Sequence, residues 1–583
     1  MISCSLAKKL NDLRKQKPLT LKIKYVLKSL MKYIILSLLS AVLLSISWPT
    51  YGIPFFIFFA LVPLLILEHD ISKFSKIKNK GWNIFGLTFL CFAIWNVVTT
   101  GWLYGAKNPD GSNSLFAVVV PVILNSLFYS LIFQCYHWYK NAQGTYFGLV
   151  FFVAIWMVFE KVHLSWELTW PWLNLGNVFA DYPQFIQWYD TLGATGGSFW
   201  ILVVNVFAFY TLRIWEAGRK RKSLIINSSV LVAGIALPML ISIMKYNNFD
   251  LKPTGSVNVL MLQPELNPYT EKYSKDSLTI LNDLLTLAEV NSTGPIDYYL
   301  GPETSLPGFG SISETGFEQS ELLNKTKEFL TKHPKSVFVT GISSHRFYPN
   351  ESEKSKTAYQ TSQGIYVDSY NSAVQIIPNQ KVEVYHKGKL VPGVEIFPYI
   401  NVLKPLLGNA MLNLGGTTAS LGIDEERKVF TNSLNKGKMA PIICYESIYG
   451  EFVTDYVKEG ANFLGIMTND SWWGVTQGHK QLMAYARMRA IETRREIARS
   501  ANSGISAHID ARGEVLADTF YGDKTTLYAK VNLYEHQTFY TRTGDLLSRL
   551  AIFIFGFLVV YNWIKKYQNR KPVEPMKKIV IKR

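Results

Sequence analysis

The stretch "APIICYESIYG" (440–450) places a cysteine and a glutamate directly after a short apolar run. Ile442 and Ile443 are typical of a buried strand, and that strand would end at Cys444. A lone cysteine in an apolar run is more often a small buried hydrophobe than a nucleophile. The rest of the chain must therefore decide between a core residue and a catalytic thiol.

Residues 254–535 alternate short β-like runs with polar helical stretches, which predicts an α/β domain large enough to bury its own core. The helical stretches include "SLTILNDLLTLAEV" (277–290) and "QLMAYARMRAIETRREIAR" (481–499). The predicted strands are 257–263, 296–301, 336–342, 372–377, 382–386, 441–446, 463–468, 505–510 and 526–533.

Three polar residues follow three of these predicted strands: Glu303 after "IDYYLGP", Lys387 after "VEVYH" and Cys444 after "PII". Sites in α/β folds form beyond the carboxyl ends of strands, so the three side chains are predicted to converge. A carboxylate can act as general base to a thiol, and an ammonium favours the thiolate. The ammonium and the backbone N–H of Tyr445 can hold an oxyanion. Taken singly, Glu303 reads as a surface or cap residue and Lys387 as a solvated lysine, but their shared position favours a catalytic site.

The chain is unusually apolar and basic for a soluble enzyme. Its 583 residues are 48% hydrophobic and carry a net charge of +17, a combination typical of a membrane protein with basic cytoplasmic loops. About 20 mostly apolar residues are needed to span a bilayer. Eight spans are predicted, with apolar centres at 33–46, 53–67, 84–98, 115–133, 146–159, 198–212, 224–243 and 546–564.

Lys and Arg concentrate in alternate loops, which orients the spans with both termini in the cytoplasm. Because these basic runs flank apolar spans, nucleic-acid binding is disfavoured. Neither the cysteines nor the histidines have the spacing of a metal site, so no metal and no cofactor are expected. The predicted organisation is a basic cytoplasmic segment (1–30), seven transmembrane helices (31–245), a catalytic domain on the far side (254–535), an eighth helix (546–564) and a basic cytoplasmic tail (565–583).

Several blocks resemble those of known enzymes. The order Glu–Lys–Cys, with "PET", "YHKGKLVPGVE" and "CYE", resembles the nitrilase superfamily of carbon–nitrogen hydrolases. With the apolar spans and the blocks "PWLNLGN" (171–177), "TNDSWWG" (468–474) and "ARMRAIE" (486–492), the chain resembles the bacterial apolipoprotein N-acyltransferases from roughly residue 30 to 565.

This resemblance implies a bundle of about eight transmembrane helices and an αββα sandwich on the periplasmic side of the bacterial inner membrane. It implies supporting roles for Glu395, Tyr445 and Glu446 beside the Glu–Lys–Cys triad. Glu395 lies eight residues after Lys387, in "LVPGVE", where the family often has "LVPFGE". The implied reaction moves an acyl chain from a phospholipid to Cys444 as a thioester, and then to the α-amine of a diacylglyceryl-cysteine apolipoprotein. A monomer is expected.

A membrane-tethered amidase or nitrilase is the alternative, because a hydrolase would use the same triad. The spans favour acyl transfer between lipids, since a hydrolase of small amides needs no membrane bundle. A transporter or scaffold is disfavoured because the spans contain few ionisable residues.

Lipid contacts are predicted for Tyr273, Trp472 and Trp473. Tyr273, in "EKY", stands where the family commonly has a tryptophan, and the two tryptophans follow a predicted strand. Adjacent side chains on an extended segment point opposite ways, so one tryptophan is expected to line an acyl pocket. The apolar, Gly-containing segment 402–422 is a candidate membrane-facing lid, with a packed helix and loop as the alternative.

Overall fold

The structure is a computed structural model that describes residues 19–73, 79–108, 111–218, 221–292, 294–308, 311–400, 402 and 420–568. Among these residues, eight helical segments are long and apolar enough to span a membrane, which confirms the predicted spans. They are α1 (Leu19–Ile46), Pro54–Lys73 with α2 (Val62–Lys73), α3 (Lys80–Thr100), α4 (Leu115–Gln143), α5 (Thr145–His163), α6 (Tyr189–Glu216), α7 (Arg221–Asn247) and, after the α/β domain, α14 (Leu546–Gln568).

Large aromatic side chains fill the interior of the helical bundle. Trp48 on the loop after α1 packs edge-on against Trp95 of α3, with ring centroids 5.2 Å apart. Tyr129 of α4 and Trp156 of α5 pack at 5.0 Å. These four side chains are almost fully buried, so the bundle has its own tightly packed core.

The α/β domain contains fourteen short strands among its described residues. They are β1 (Gly255–Gln263), β2 (Tyr298–Leu300), β3 (Ile312–Ser313), β4 (Val337–Tyr348), β5 (Tyr359–Gln360), β6 (Tyr366–Ile376), β7 (Glu383–His386), β8 (Phe430–Thr431), β9 (Lys438–Ile443), β10 (Phe463–Thr468), β11 (Ile497–Ala501), β12 (Ala507–Ile509), β13 (Val515–Asp518) and β14 (Thr525–Leu533). The helices are α8 (Ser277–Val290), α9 (Glu314–Phe317), α10 (Glu321–Lys332), α11 (Gly450–Lys458), α12 (Gln477–Thr493) and α13 (Phe539–Thr543).

These strands form two mixed sheets that pack face to face. The first sheet has the order β14-β1-β2-β4-β6-β5, with β3 beside β4 and β7 beside β6, and the second has the order β13-β12-β11-β10-β9-β8. Along β1, Val259 and Met261 share a core with Ile442 of β9. The alternate residues Leu260 and Leu262 share another core with α8 and α10. Because side chains alternate across a strand, this pattern gives the sandwich of sheets and helices that was predicted.

The predicted helix 481–499 is wrong in its last six residues. α12 ends at Thr493, Arg494 takes a left-handed backbone with φ of 52°, and β11 then enters the second sheet. The charged stretch is buried because its guanidinium groups find partners inside the domain, as Arg499 does with the Asp470 carboxylate at 2.9 Å. Tertiary pairing therefore overrides the helical pattern of the sequence.

Two further predictions placed extended chain where the structure turns. The predicted strand 441–446 ends at Ile443, and Cys444–Ile448 form a 3₁₀ helix. The two tryptophans lie on a second 3₁₀ helix, Asp470–Trp473, and not on an extended segment. In both places a side chain accepts from a backbone N–H at the start of the turn: Glu446 from Ile443, and Asn469 from Ser471. The predictions also omitted β3, β5, β8, β11 and β13, of which three have only two residues.

α12 joins the α/β domain to the membrane bundle. The indole N–H of Trp102, after α3, donates to Gln481 Oε1 at 3.1 Å, and the Tyr485 hydroxyl donates to the Trp172 carbonyl at 2.9 Å. At the end of α12, Glu492 accepts a hydrogen bond from a backbone N–H of α6 at 2.8 Å. Nearly every side chain of this helix is buried, since it has the second sheet on one side and the bundle on the other.

Candidate active site

Glu303 and Lys387 meet beyond the carboxyl ends of β2 and β7. Lys387 Nζ donates to Glu303 Oε1 at 3.0 Å, and the two side chains are 1% and 6% exposed. β2 runs parallel to β4, while β6 is antiparallel to both β4 and β7, so β2 and β7 end at the same edge of the sheet. A buried ion pair of this kind needs further hydrogen bonds to offset its loss of hydration.

Glu395 and Asn371 supply those hydrogen bonds. Lys387 Nζ also donates to Glu395 Oε1 at 2.9 Å. The Asn371 carboxamide, on β6, donates to Glu303 Oε1 at 2.8 Å and to Glu395 Oε1 at 2.9 Å. Glu395 is held in turn by the backbone N–H of Val391 at 2.8 Å. Two carboxylates thus share one ammonium and one amide, which fixes all four side chains.

Cys444 lies at a strained turn between β9 and the 3₁₀ helix that follows. Its φ of 48° is uncommon for a residue other than glycine. The parallel register of β9 and β10 aligns Ile443 with Met467, which brings the Thr468 hydroxyl to the thiol. The side chain is 7% exposed. The turn therefore presents the thiol beyond the sheet, in a site that is nearly closed.

The charges around Glu303, Lys387 and Cys444 set the protonation state of each of these groups. Burial opposes ionisation of Glu303, but the ammonium groups of Lys387 and Lys272 outweigh it and lower the pKa of Glu303. Burial, and then the Glu303 charge, raise the pKa of the Cys444 thiol. Burial disfavours the Lys387 ammonium, yet Glu303 and Glu395 raise its pKa well above the usual value. At neutral pH the site therefore contains a carboxylate, an ammonium and a neutral thiol.

Glu446 ties the lysine segment to the cysteine turn. Its Oε1 accepts from the backbone N–H of Gly388 and from the Tyr385 hydroxyl, both at 2.6 Å, while its Oε2 accepts from the backbone N–H of Ile443 at 2.7 Å. Gly388 follows the triad lysine and Ile443 precedes the triad cysteine. One buried carboxylate thus sets the separation of the two segments.

Tyr445 connects the cysteine turn to the membrane bundle. Its hydroxyl donates to the carbonyl of Thr169, in the loop after α5, at 3.1 Å. Its backbone N–H belongs to the first turn of the 3₁₀ helix, where N–H groups have no partner inside the helix. This N–H is a suitable donor to an oxyanion on a carbonyl attacked by Cys444.

The buried guanidinium of Arg489 holds the same turn through hydrogen bonds. Arg489, on α12, donates to the backbone carbonyls of Ser447 and Ile448 and pairs with Glu492 at 2.7 Å. Because Glu492 also accepts the backbone N–H of Ala194 in α6, the cysteine turn and the bundle share one hydrogen-bonded network.

The predicted lipid-contacting residues point in different directions. Trp472 packs against Tyr269 at 5.3 Å, and its ring centroid lies 5.9 Å from Lys272 Nζ. Tyr273, half exposed, lies at the same distance from that ammonium. Trp473 instead packs edge-on against Trp102 of the bundle at 4.9 Å. Trp472 and Tyr273 thus border the site, whereas Trp473 belongs to the junction with the bundle.

Three site residues were not predicted. Asn371 donates to Glu303 as described, Lys272 Nζ donates to the backbone carbonyl of Glu303 at 3.4 Å, and the backbone N–H of Asn469 donates to Glu303 Oε2 at 3.0 Å. Asn371 had a usable signal, because "YNSAVQIIPNQKVEVYHK" (370–387) reads as a hairpin that places it beside Lys387. Lys272 and Asn469 lie in the family-like stretches "EKY" and "TNDSWWG", but those stretches did not assign them a contact with the triad.

Most of the candidate lid, 403–419, lies outside the described residues. Its far end is anchored at the site: the backbone N–H of Leu421 donates to the carbonyl of Glu395 at 2.9 Å, and Gly422 donates to Ser369 at 2.8 Å.

Comparison with known proteins places this arrangement in a family. Residues 40–207 match the model of the apolipoprotein N-acyltransferase N-terminal domain, and residues 264–539 match the carbon–nitrogen hydrolase model. The two models together cover more than half of the chain. The chain belongs to the apolipoprotein N-acyltransferase family. The first model covers much of the helical bundle, and the second contains the whole Glu–Lys–Cys site, which confirms the resemblance inferred from the sequence blocks.

Individual members of the apolipoprotein N-acyltransferase family match along almost their full length. The protein of that name from Chlorobaculum tepidum is 28% identical, over 89% of this chain and 94% of its own. The one from Haemophilus influenzae is 25% identical, over 88% of this chain and 91% of its own. The match thus extends across both the bundle and the α/β domain.

Proposed function

We propose that the protein transfers an acyl chain from a phospholipid, through a thioester on Cys444, to the N-terminal amine of a diacylglyceryl-cysteine apolipoprotein. The observation that carries this proposal is the position of the cysteine turn on the membrane bundle, through Tyr445 and Thr169. A nucleophile at this junction meets the ester carbonyls of lipids, whereas a hydrolase of small amides has no use for such a position. Family membership supports transfer over hydrolysis.

In the first step, Glu303 takes the thiol proton as the sulphur attacks the ester carbonyl of the phospholipid. Lys387 Nζ and the backbone N–H of Tyr445 hold the resulting oxyanion. The carbon–oxygen bond then breaks, and Glu303 gives its proton to the departing alkoxide. A lysophospholipid leaves, and the acyl chain remains on Cys444 as a thioester.

In the second step, a neutral amine attacks the thioester and gives a proton to Glu303. The carbon–sulphur bond breaks, an amide forms, and the proton passes to the sulphur of Cys444. An α-amine has a pKa of about 7.7–8.0, so part of it is neutral at pH 7, whereas a lysine amine near 10.4 is almost fully protonated. This difference favours a free N-terminus as the acceptor.

The experiment separates the acylation step from the acyl-acceptor step. Purified protein is first loaded with an acyl chain from phospholipid, and the mass of the Cys444 peptide reports the thioester. A peptide that begins with diacylglyceryl-cysteine is then expected to discharge the enzyme and to gain the chain on its α-nitrogen. The matched control is the same peptide with an acetylated N-terminus, which should leave the thioester in place.

Release of free fatty acid at the same rate with and without the peptide would identify a membrane-tethered hydrolase, which is the second candidate function. The same products are separated by chromatography in both arms, so one experiment distinguishes transfer to an amine from transfer to water.

We also propose that the bundle lies in the bacterial inner membrane with the α/β domain on the periplasmic side. The alternation of basic loops supports this orientation. A reporter that works only in the cytoplasm should be silent when fused after residue 540 and active when fused after residue 583. Activity at the first position would reverse the topology.

A further inference from the structure

The site contains a second buried ammonium besides the triad lysine. Lys272, in the loop after β1, is 2% exposed. Its Nζ donates to the Thr304 hydroxyl and, at 3.4 Å, to the backbone carbonyl of Glu303. The rings of Tyr273 and Trp472 both lie with their centroids 5.9 Å from the same atom. Within the described residues, the hydrogen-bond acceptors of this ammonium are thus neutral oxygens.

This environment differs from that of Lys387. The Lys387 ammonium is bonded to two carboxylates, so its charge is already matched. Lys272 has no such partner in the described part of the chain, and a buried charge without one is costly. The groups whose fields reach it are Glu303 and, once ionised, Cys444, which favour the ammonium, and Lys387, which opposes it. Burial dominates and lowers the pKa of Lys272 to about 8.

We propose that Lys272 is a positioning residue for the acylation step, whose ammonium offsets the negative charge that moves onto the Cys444 sulphur and the ester oxygen. The inference rests on the proposed function. In the resting site, the negative charges of the Glu303 and Glu395 carboxylates balance the positive charges of the Lys387 and Lys272 ammonium groups. Proton transfer from the thiol to Glu303 moves negative charge onto the sulphur without changing the net charge of the site. When Lys272 is neutral the site has a net negative charge, and the same shift becomes unfavourable.

The proposal predicts an alkaline loss of acylation. Lys272 is charged below its pKa and neutral above it, so the single-turnover rate of thioester formation should fall above about pH 8, by about tenfold per pH unit as for one deprotonation. Three neighbouring groups titrate elsewhere: the pKa of Glu303 is lowered, that of Lys387 is well above the usual value, and that of Tyr273 is about 12. The pKa of the Cys444 thiol is also raised.

The test measures acylation alone, without an acceptor peptide, between pH 6 and pH 10. Vesicles of phosphatidylglycerol serve as the donor, because their headgroup has no amine to titrate. Lys272→Met should acylate at least about tenfold more slowly than wild type at pH 7, as for loss of one electrostatic stabiliser, and its rate should not fall further above pH 8. Lys272→Arg keeps its charge throughout this range and should lose the alkaline fall while retaining activity. Lys275→Met is the matched control, since Lys275 lies in the same loop and pairs with Glu271 at the surface; its profile should match wild type.

An alkaline fall that persists in folded Lys272→Met would overturn the proposal. So would a wild-type rate that stays constant from pH 7 to pH 9, a result that requires no variant to fold. Thermal unfolding in detergent reports whether each variant is intact. Absence of any thioester in wild type at every pH would instead refute the proposed acyl-transfer reaction, so the two failures are distinguishable.

Discussion

Replacing Asn371 by Asp should change how the acylation rate depends on pH. The fall of the rate at low pH, called the acid limb here, should move to higher pH. Asn371 donates one carboxamide N–H to Glu303 and the other to Glu395, at 2.8 and 2.9 Å. The aspartate side chain has the same shape but presents an oxygen in place of the amide nitrogen. Two hydrogen bonds to carboxylates are lost, and a third negative charge faces the two already present.

The size of the effect follows from the contact to Glu303. A hydrogen bond to a charged group contributes about 1.5–3 kcal/mol, and one pKa unit corresponds to about 1.36 kcal/mol. Loss of this bond alone should therefore move the acid limb upward by roughly one to two pH units, and repulsion adds to the shift. The direction follows because Glu303 must be deprotonated to take the thiol proton, and a raised pKa removes the base at a higher pH.

The assay is the rate of lysophospholipid release in a single turnover, measured from pH 3.5 to 7 on wild type and the Asn371→Asp variant. Asn462→Asp is the matched control: Asn462 is also buried, but it bonds to backbone groups of Lys436 and Lys438. It should lower stability and leave the acid limb in place. If folded Asn371→Asp has the wild-type acid limb, Asn371 does not tune Glu303 and the reasoning fails.

The triad itself can be tested with matched substitutions. Cys444→Ala should abolish the thioester detected by mass after exposure to phospholipid, whereas Cys91→Ala and Cys135→Ala should keep it, because those cysteines lie on α3 and α4; equal loss in all three would make Cys444 a structural residue. Glu303→Gln and Lys387→Met should each slow acylation at least about a hundredfold, through loss of the base or of oxyanion stabilisation. Removing one partner of a buried pair also costs about 3–5 kcal/mol, so thermal unfolding is measured alongside. Near-normal acylation by either folded variant would exclude that residue from the triad.

The membrane spans were predictable because their physics is local. A helix in lipid satisfies its own backbone hydrogen bonds, so length and apolar composition are enough to identify it. Seven of the eight predicted apolar centres lie within the helical segments of the structure, and the centre 53–67 begins one residue before its segment, Pro54–Lys73. The strand ends that present Glu303, Lys387 and Cys444 were also readable, since each follows an apolar run bounded by polar residues.

The errors occurred where distant partners decide the local structure. β11 carries Arg499 into the interior of the domain, where pairing with the Asp470 carboxylate offsets the cost of burying the guanidinium charge. The turn at Cys444 depends on the Glu446 carboxylate, which accepts from the backbone N–H of Ile443 beside the turn and from that of Gly388 in the distant lysine segment. Likewise, no sequence pattern places Lys272 beside Thr304, because a loop after one strand and a loop after another meet only in the folded sheet.

A hydrogen-bonded network runs from Ala194 through Glu492 and Arg489 to the cysteine turn. It makes the structure of the α/β domain depend on the membrane bundle. An excised 254–535 fragment would expose α12 along the face that now contacts the bundle, and would lose the partner that orients Glu492. We therefore expect the α/β domain and the membrane bundle to unfold together, although the domain begins at residue 254. We also expect a detergent that loosens the transmembrane helices to loosen the turn at Cys444 as well, through Glu492 and Arg489.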